Sequence, residues 1–108
     1  MWAVFGLVVR FDCVDGAAAE EFDALVAELV PRIEAAEPGT LLYVTNTVEG
    51  EPLARVFFEV YRDRDAFDAH ERQEHVVRFH AARAPYTAGA RVEFLRPGPA
   101  KGLVGSDG

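Results

Sequence analysis

Three histidines and a carboxylate in the second half of the chain are the residues best suited to acid–base chemistry. Histidine titrates near neutral pH, and a neighbouring carboxylate can fix the tautomer of its ring, so such a pair can serve as a general base. Glu59 precedes two helical stretches that carry His70, His75 and His80. We predict His70, His75 and Glu59 as candidate catalytic residues and interpret His80 as a surface residue. A purely structural hydrogen bond from histidine to glutamate, tying helix to sheet, remains an open alternative.

The spacing of the histidines disfavours a metal site. Each step is five residues, which turns successive side chains by about 140° on a straight helix and does not stack them as in a zinc-binding pair. A helix break near Gln73 would still let His70 and His75 approach each other. We expect no metal. The sequence also has no glycine-rich phosphate loop, no Ser-His-Asp signature and no Cys-x-x-Cys pair.

Composition indicates one ordinary globular domain. The chain has 108 residues, of which 50% are hydrophobic and 27% charged. Its formal net charge of -7 disfavours nucleic acid and anionic membranes as partners. Cys13 is the single cysteine, which fits a reducing compartment, and the apolar N-terminus lacks the basic region of a leader and the length of a membrane span. We therefore expect a cytoplasmic protein.

Hydrophobic periodicity predicts the elements that must position the candidate residues. Steps of three and four predict a long helix from Ala17 to the stop signal Pro38-Gly39, with a kink or an early end at Pro31. Asp63 is the predicted N-cap of a second helical layer, which is broken near Gln73. Runs of β-forming residues predict strands at 3–11, 40–48, 53–61 and 90–95.

The order βαββαβ predicts an α+β, ferredoxin-like fold with a four-stranded antiparallel sheet and the helices on one face. We assign 1–96 to this domain and 97–108 to a flexible C-terminal tail. The topology alone does not define a function. RNA-binding modules share it, but the negative charge and the absence of glycines from the strand at 53–61 argue against RNA.

Apolar residues fall on both faces of the predicted sheet. In the first strand Phe5, Leu7 and Val9 lie on one face, and Val4 and Val8 lie on the other. Two helices can cover only one of these faces. We therefore expect a homodimer in which the second faces pack together.

Three segments of the chain resemble the antibiotic biosynthesis monooxygenase family. They are Glu-Pro-Gly-Thr-Leu-Leu-Tyr at 37–43, Phe-Phe-Glu-Val-Tyr-Arg-Asp at 57–63 followed by Ala66, Phe67 and His70, and then His75 and Phe79. The resemblance covers about residues 3–96. It implies a dimeric α+β barrel that works as a cofactor-independent monooxygenase. The implied substrates are O₂ and an apolar, electron-rich aromatic such as an anthrone, a hydroquinone or a polyketide-type phenol.

The implied reaction needs neither flavin nor metal. Deprotonation of the phenol gives an anion that can pass one electron to O₂, and the radical pair recombines to a peroxide that collapses to a quinone. His70 or His75 would supply the base. The candidate substrate-binding residues are Asn46, Phe57, Phe58, Tyr61, Phe67, Phe79 and Tyr86. Each of the aromatic residues could equally be plain core, and Asn46 and Tyr43 fall on opposite faces of their strand.

Two other functions are weighed against this one. Relatives that degrade haem use an asparagine on the first strand, a tryptophan and a helical histidine, whereas the first strand here has no asparagine and the only tryptophan is Trp2. Haem degradation is therefore disfavoured. The alternative from a different class is a non-catalytic, dimeric module of the same fold that binds a small molecule or assists a pathway enzyme.

Overall fold

The computed structural model describes residues 4–102, so Trp2 and the last six residues of the predicted tail lie outside the described part. The elements follow the predicted βαββαβ order with an extra helical turn before the last strand. They are β1 (Phe5–Cys13), α1 (Gly16–Ala36), β2 (Thr40–Val48), β3 (Glu51–Tyr61), α2 (Arg64–Arg72), α3 (Glu74–Arg83), a 3₁₀ turn (Ala84–Tyr86) and β4 (Thr87–Leu95). None of the helices within residues 4–102 combines the length and the apolar character needed to cross a membrane.

The sheet has the order β2-β3-β1-β4, and every neighbouring pair of strands is antiparallel. Leu7 of β1 pairs with Glu59 of β3 on one side and with Phe94 of β4 on the other, so these three side chains share one face. This arrangement confirms the predicted ferredoxin-like α+β fold.

The helices cover the face that carries Glu59, and this is where the core lies. Four phenylalanine rings from β1, α1, β3 and α3 pack with centroids 5.0–6.4 Å apart. They are Phe11, Phe22, Phe57 and Phe79, all buried. Aromatic rings of this kind contribute large buried areas, and so they hold both helical layers on the sheet.

The predicted early end of the first helix at Pro31 is wrong, because α1 continues to Ala36. Pro31 is exposed, whereas Leu29 and Ile33 on either side of it are buried against the sheet. A proline removes one N–H bond from a helix. Here that loss falls on the solvent side, while the buried apolar residues pack against the sheet. A kink at Pro31, the other predicted outcome, stays a prediction.

The predicted break in the second helical layer is confirmed. Asp63 caps α2 by accepting a hydrogen bond from the Ala66 amide at 2.8 Å. Gln73 then adopts an extended conformation, with φ −65° and ψ 138°, between α2 and α3. The two histidines that a straight helix would separate therefore lie on two differently directed helices.

Candidate functional site

The centre of the site is the carboxylate of Glu37, which directly follows α1. Only 7% of this residue is exposed, and three side chains donate hydrogen bonds to it. His70 Nδ1 lies 2.6 Å from Oε1, His75 Nε2 lies 2.6 Å from Oε2, and Thr40 Oγ1 donates to Oε1 at 2.7 Å. Burial acts to raise the pKa of Glu37, but the bonds from His70, Thr40 and His75 outweigh it, so the pKa falls below its ordinary value.

A glycine allows Glu37 to reach the second helical layer. A Cβ added at Gly39 would lie 2.7 Å from the Cβ of Ala66, so only glycine fits where this turn passes α2. The amide of Arg62 donates to the carbonyl of Gly39 at 2.8 Å and fixes the same approach. The turn between α1 and β2 is therefore held against α2, with Glu37 facing His70.

The hydrogen-bond network defines the tautomer of His70. A glutamate with a lowered pKa is ionised at neutral pH and can only accept hydrogen bonds, so the Nδ1 of His70 must carry the hydrogen. In the neutral imidazole this leaves Nε2 with a free lone pair. Nε2 lies 3.9 Å from Oε2 of Glu71, too far for a direct hydrogen bond. His70 thus presents an acceptor nitrogen on the side away from Glu37.

His70 lines a cavity of about 180 Å³ between the sheet and the layer formed by α2 and α3. Its apolar walls are Leu7, Val9, Phe11, Phe67, Phe79, Ala90, Val92 and Phe94. Its polar lining is Tyr43, Glu59, His70, Glu71, His80 and Arg83. Val92 and Phe94 on the edge strand β4 are exposed, so the cavity opens along that edge.

A second buried carboxylate, Glu59, faces this cavity from β3. Tyr61 donates a hydrogen bond from its hydroxyl to Oε1 of Glu59 at 2.6 Å. Burial raises the pKa of Glu59 and the bond from Tyr61 only partly offsets this, so the pKa lies above its ordinary value. Burial and the neighbouring Glu59 also raise the pKa of Tyr61, which keeps its hydroxyl protonated. The pKa values of Glu37 and Glu59 are therefore shifted in opposite directions, and that of Glu71 in the cavity lining is lowered like that of Glu37.

Four of the predicted site residues come together in the cavity: Glu59, His70, Phe67 and Phe79. Tyr61 lies behind them, fully buried, and contributes through its bond to Glu59. The carboxylate that holds His70 is Glu37, however, and not the sheet residue Glu59 that the sequence pattern favoured.

The structure places three other predicted residues away from the cavity. His75 lines a separate groove of about 120 Å³ between α1 and α3. Phe58 points to the opposite face of the sheet, because side chains alternate along β3 and its neighbours Phe57 and Glu59 face the helices. Asn46 also lies on that opposite face, where its amide donates to the carbonyl of Val56 at 3.0 Å.

Two further aromatic predictions are corrected by packing. Phe57 is only 1% exposed and belongs to the four-ring core, so it contacts other side chains and lines no part of the cavity beside His70. Tyr86 is half-buried in the 3₁₀ turn and is not part of the cavity wall. Phe57 fits the plain-core alternative, whereas Tyr86 lies outside the core cluster.

His80 lies at the surface as predicted, with 41% of its side chain exposed. It is half-buried, lines the cavity and lies 3.9 Å from Oε2 of Glu71 through its Nε2. Sequence reasoning assigned no role to Glu37, Glu71 or Arg83. Glu37 stands in the first segment of the resemblance, but it is 33 and 38 residues from its histidine partners, and no local pattern reports so distant a contact.

Within the described residues, no group of three or more His, Cys, Asp or Glu side chains is arranged to hold a metal ion. The buried histidines instead turn a ring nitrogen towards Glu37 at hydrogen-bond distance. The geometry therefore describes a hydrogen-bonded acid–base cluster beside an aromatic cavity.

Fold and site together define a ferredoxin-like domain with a histidine–carboxylate pair at an aromatic-lined cavity. The chain belongs to the antibiotic biosynthesis monooxygenase family, whose model matches residues 4–82. No curated protein is significantly similar to it.

Solved structures agree with this membership. A candidate antibiotic biosynthesis monooxygenase from Caulobacter crescentus is 26% identical, with a TM-score of 0.84, over 91% of this chain and 92% of that one. A protein from Shewanella oneidensis is 26% identical, with a TM-score of 0.81, over 90% and 93% of the two chains. A further antibiotic biosynthesis monooxygenase is 25% identical, with a TM-score of 0.78, over 88% and 99%.

Replacing Glu37 by Gln is expected to lower the free energy of unfolding at neutral pH by about 2 kcal/mol or more, since hydrogen bonds to a charged group contribute about 1.5–3 kcal/mol each. The pKa of Glu37 is lowered by folding, so this stability is present above the ordinary carboxylate range and is lost as the pH falls through the folded-state pKa. Urea unfolding at a series of pH values should show the gap between the two proteins closing towards acid. A gap that does not depend on pH would contradict this.

Replacing Glu59 by Gln is expected to raise the free energy of unfolding at neutral pH, the opposite of the effect expected for Glu37→Gln. The pKa of Glu59 is raised by folding, so its ionised form destabilises the protein at neutral pH, and this penalty disappears as the pH falls through the folded-state pKa to the ordinary value. Gln keeps an acceptor for the Tyr61 hydroxyl. The variant should unfold at higher urea than the wild type at neutral pH, and the two should converge in acid. A less stable variant at neutral pH would refute this reading of Glu59.

Proposed function

We propose that the protein is a cofactor-independent monooxygenase that oxidises an electron-rich phenol to a quinone with O₂. The observation that carries the proposal is the bond from His70 Nδ1 to Glu37 at 2.6 Å, beside a cavity lined by aromatic rings. It holds the imidazole in the tautomer whose Nε2 can accept a proton. Family membership supports oxygenase chemistry of this class.

The proposed reaction begins when Nε2 of His70 takes the proton of a phenol bound in the cavity. The phenolate passes one electron to O₂, and the phenoxyl radical and superoxide combine at a ring carbon that bears hydrogen. The resulting peroxide loses that hydrogen, and its O–O bond breaks to leave a carbonyl. The phenol supplies four electrons in total, one oxygen atom enters the ring and the other leaves as water.

The ionisable groups around the cavity act on a bound phenolate in different directions. Glu37 is ionised and stabilises the imidazolium that forms when His70 takes the proton. Glu59 has a raised pKa, so it opposes the developing anion less than an ordinary carboxylate would, whereas Glu71, with a lowered pKa, is the carboxylate of the cavity lining that opposes it.

The size of the cavity narrows the substrate class. A cavity of about 150 Å³ holds a benzene ring, so the 180 Å³ observed here accommodates one substituted ring. The three fused rings of an anthrone need more room than this volume provides. We therefore favour single-ring phenols and hydroquinones over polycyclic substrates.

The alternative is a binding module without catalysis. Such a module needs only an apolar pocket, whereas this cavity is lined by the titratable groups of Glu59, His70, Glu71 and His80. The residues present therefore favour an enzyme.

We further propose that the protein acts as a homodimer, formed through the sheet face that the helices leave uncovered. That face carries Val8, Val56, Phe58 and Val60, and Leu95 at its margin is 38% exposed. Phe58, Val60 and Leu95 line a groove of about 190 Å³ on this face, together with residues 97–101 of the same chain. An apolar face of this extent is typical of a two-fold interface.

We also propose that the protein is cytoplasmic. Its one cysteine, Cys13, is buried and free, and burial raises the pKa of its thiol. A thiol of this kind is unreactive and fits a reducing compartment.

Replacing His70 by Gln is expected to lower the rate of O₂ uptake by about 10², the lower end of general-base contributions. The assay follows O₂ with an electrode over a panel of electron-rich phenols, hydroquinones and an anthrone, using protein treated with chelator. His75→Gln is the matched control, because His75 binds the same carboxylate but lies outside the cavity, and it should keep most of the rate.

Two outcomes would count against the assignment. Uptake no faster than in buffer across the whole panel would favour the binding module. Equal losses in the two variants would show that the histidines act only through Glu37 and the fold.

Replacing Phe58 by Arg is expected to convert the dimer to a monomer, because it places a charge at the centre of the apolar face. Sedimentation velocity measures the change directly. Val77→Arg is the control, since Val77 is 56% exposed on α3, far from this face, and should leave the dimer intact. A monomeric wild type would overturn the proposed interface.

A further inference from the structure

Arg83 is a half-buried cation without a carboxylate partner in the described part of the chain. It lines the cavity from the end of α3, and no Asp or Glu of residues 4–102 lies within 4.0 Å of its guanidinium. Its Nε is buried and makes no hydrogen bond there. Burial lowers the pKa of Arg83, because the charged guanidinium is poorly solvated there.

The guanidinium is nevertheless held in place. NH1 donates to Oγ1 of Thr87 at 3.1 Å, and the Thr87 hydroxyl donates back to the carbonyl of Arg83 at 3.2 Å. The central carbon of the guanidinium lies 5.1 Å above the ring of Phe11. A fixed, partly desolvated cation is a preorganised site for an anion.

The other charged groups at the cavity do not supply that anion. Glu71 lies 3.9 Å from the Nε2 atoms of both His70 and His80, so its charge is directed to the imidazoles. Glu59 accepts the Tyr61 hydroxyl and has a raised pKa, which favours its neutral form. The positive charge of Arg83 is therefore left for a ligand.

We propose that Arg83 binds a carboxylate on the substrate, carried by the ring or by a short side chain, so that the substrates are phenolic acids and not fully apolar phenols. The proposal rests on the function proposed above for the same cavity. The aromatic ring would lie against Phe11 and Phe79, with its hydroxyl towards His70 and its carboxylate towards Arg83. Arg83 is thus a specificity residue for one end of the substrate.

The test compares binding of 4-hydroxyphenylacetate with binding of its methyl ester, which has the same ring but no charge. Titration calorimetry under nitrogen measures binding without turnover, so the result does not depend on whether the protein is an oxygenase. The wild type should bind the acid about tenfold more tightly than the ester or better, as expected for a charge-assisted hydrogen bond. Arg83→Gln should remove this preference, and Arg83→Lys should retain part of it.

Arg78→Gln is the matched control. Arg78 lies on the same helix, but it is exposed, pairs with Glu74 at 2.7 Å and lies outside the cavity. This variant should keep the full preference for the acid. Should Arg83→Gln fail to fold, the Nε–H signal of Arg83 in NMR spectra of the wild type decides, because the acid should shift it and the ester should not.

Equal affinities of the wild type for acid and ester, or no binding of either, would overturn the proposal. So would an unchanged preference in Arg83→Gln. Tight binding of the acid, with no O₂ uptake across the whole panel of phenols, would leave the role of Arg83 standing and count against the oxygenase function.

Discussion

The site and the second helical layer both depend on one buried carboxylate. An ionised glutamate costs several kcal/mol to bury unless donors replace its water, and Glu37 has three, from Thr40, His70 and His75. The bonds join the end of α1 to α2 and α3, so the cost of burial is offset only when all three helices are in place. The carboxylate that orients the candidate base is therefore also the one that assembles its surroundings.

Two glutamates in one small domain carry different tasks because their environments differ. Glu37 accepts charge-assisted bonds and stays ionised, whereas Glu59 lies deeper with a single tyrosine donor and is driven towards its neutral form. Pairs of carboxyl groups separated in this way are typical of acid–base sites. The two glutamates cannot exchange roles, because Glu37 follows α1 whereas Glu59 lies on the central strand β3.

Much of the fold could be predicted from the sequence, because it follows from local patterns. Alternation along β1 and β3, the Asp63 cap and the break at Gln73 each depend on residues close in the chain. The same strand and helix patterns also predicted that one cavity would contain Glu59, Phe67, His70 and Phe79. The contact of Glu37 with His70 did not, since it depends on the close passage of Gly39 past Ala66, which no periodicity records. The misplacement of Phe58 has a simpler origin, because two adjacent strand residues cannot face the same cavity.

The most direct test of this account is the protonation of the His70 ring, read from the ¹⁵N chemical shifts of the labelled protein at neutral pH. Hydrogen is expected on Nδ1, bonded to Glu37, so that Nε2 is the nitrogen that gains and loses a proton in the cavity. A neutral ring with hydrogen on Nε2 and a bare Nδ1 would contradict this, because Nε2 of His70 could then not act as the base.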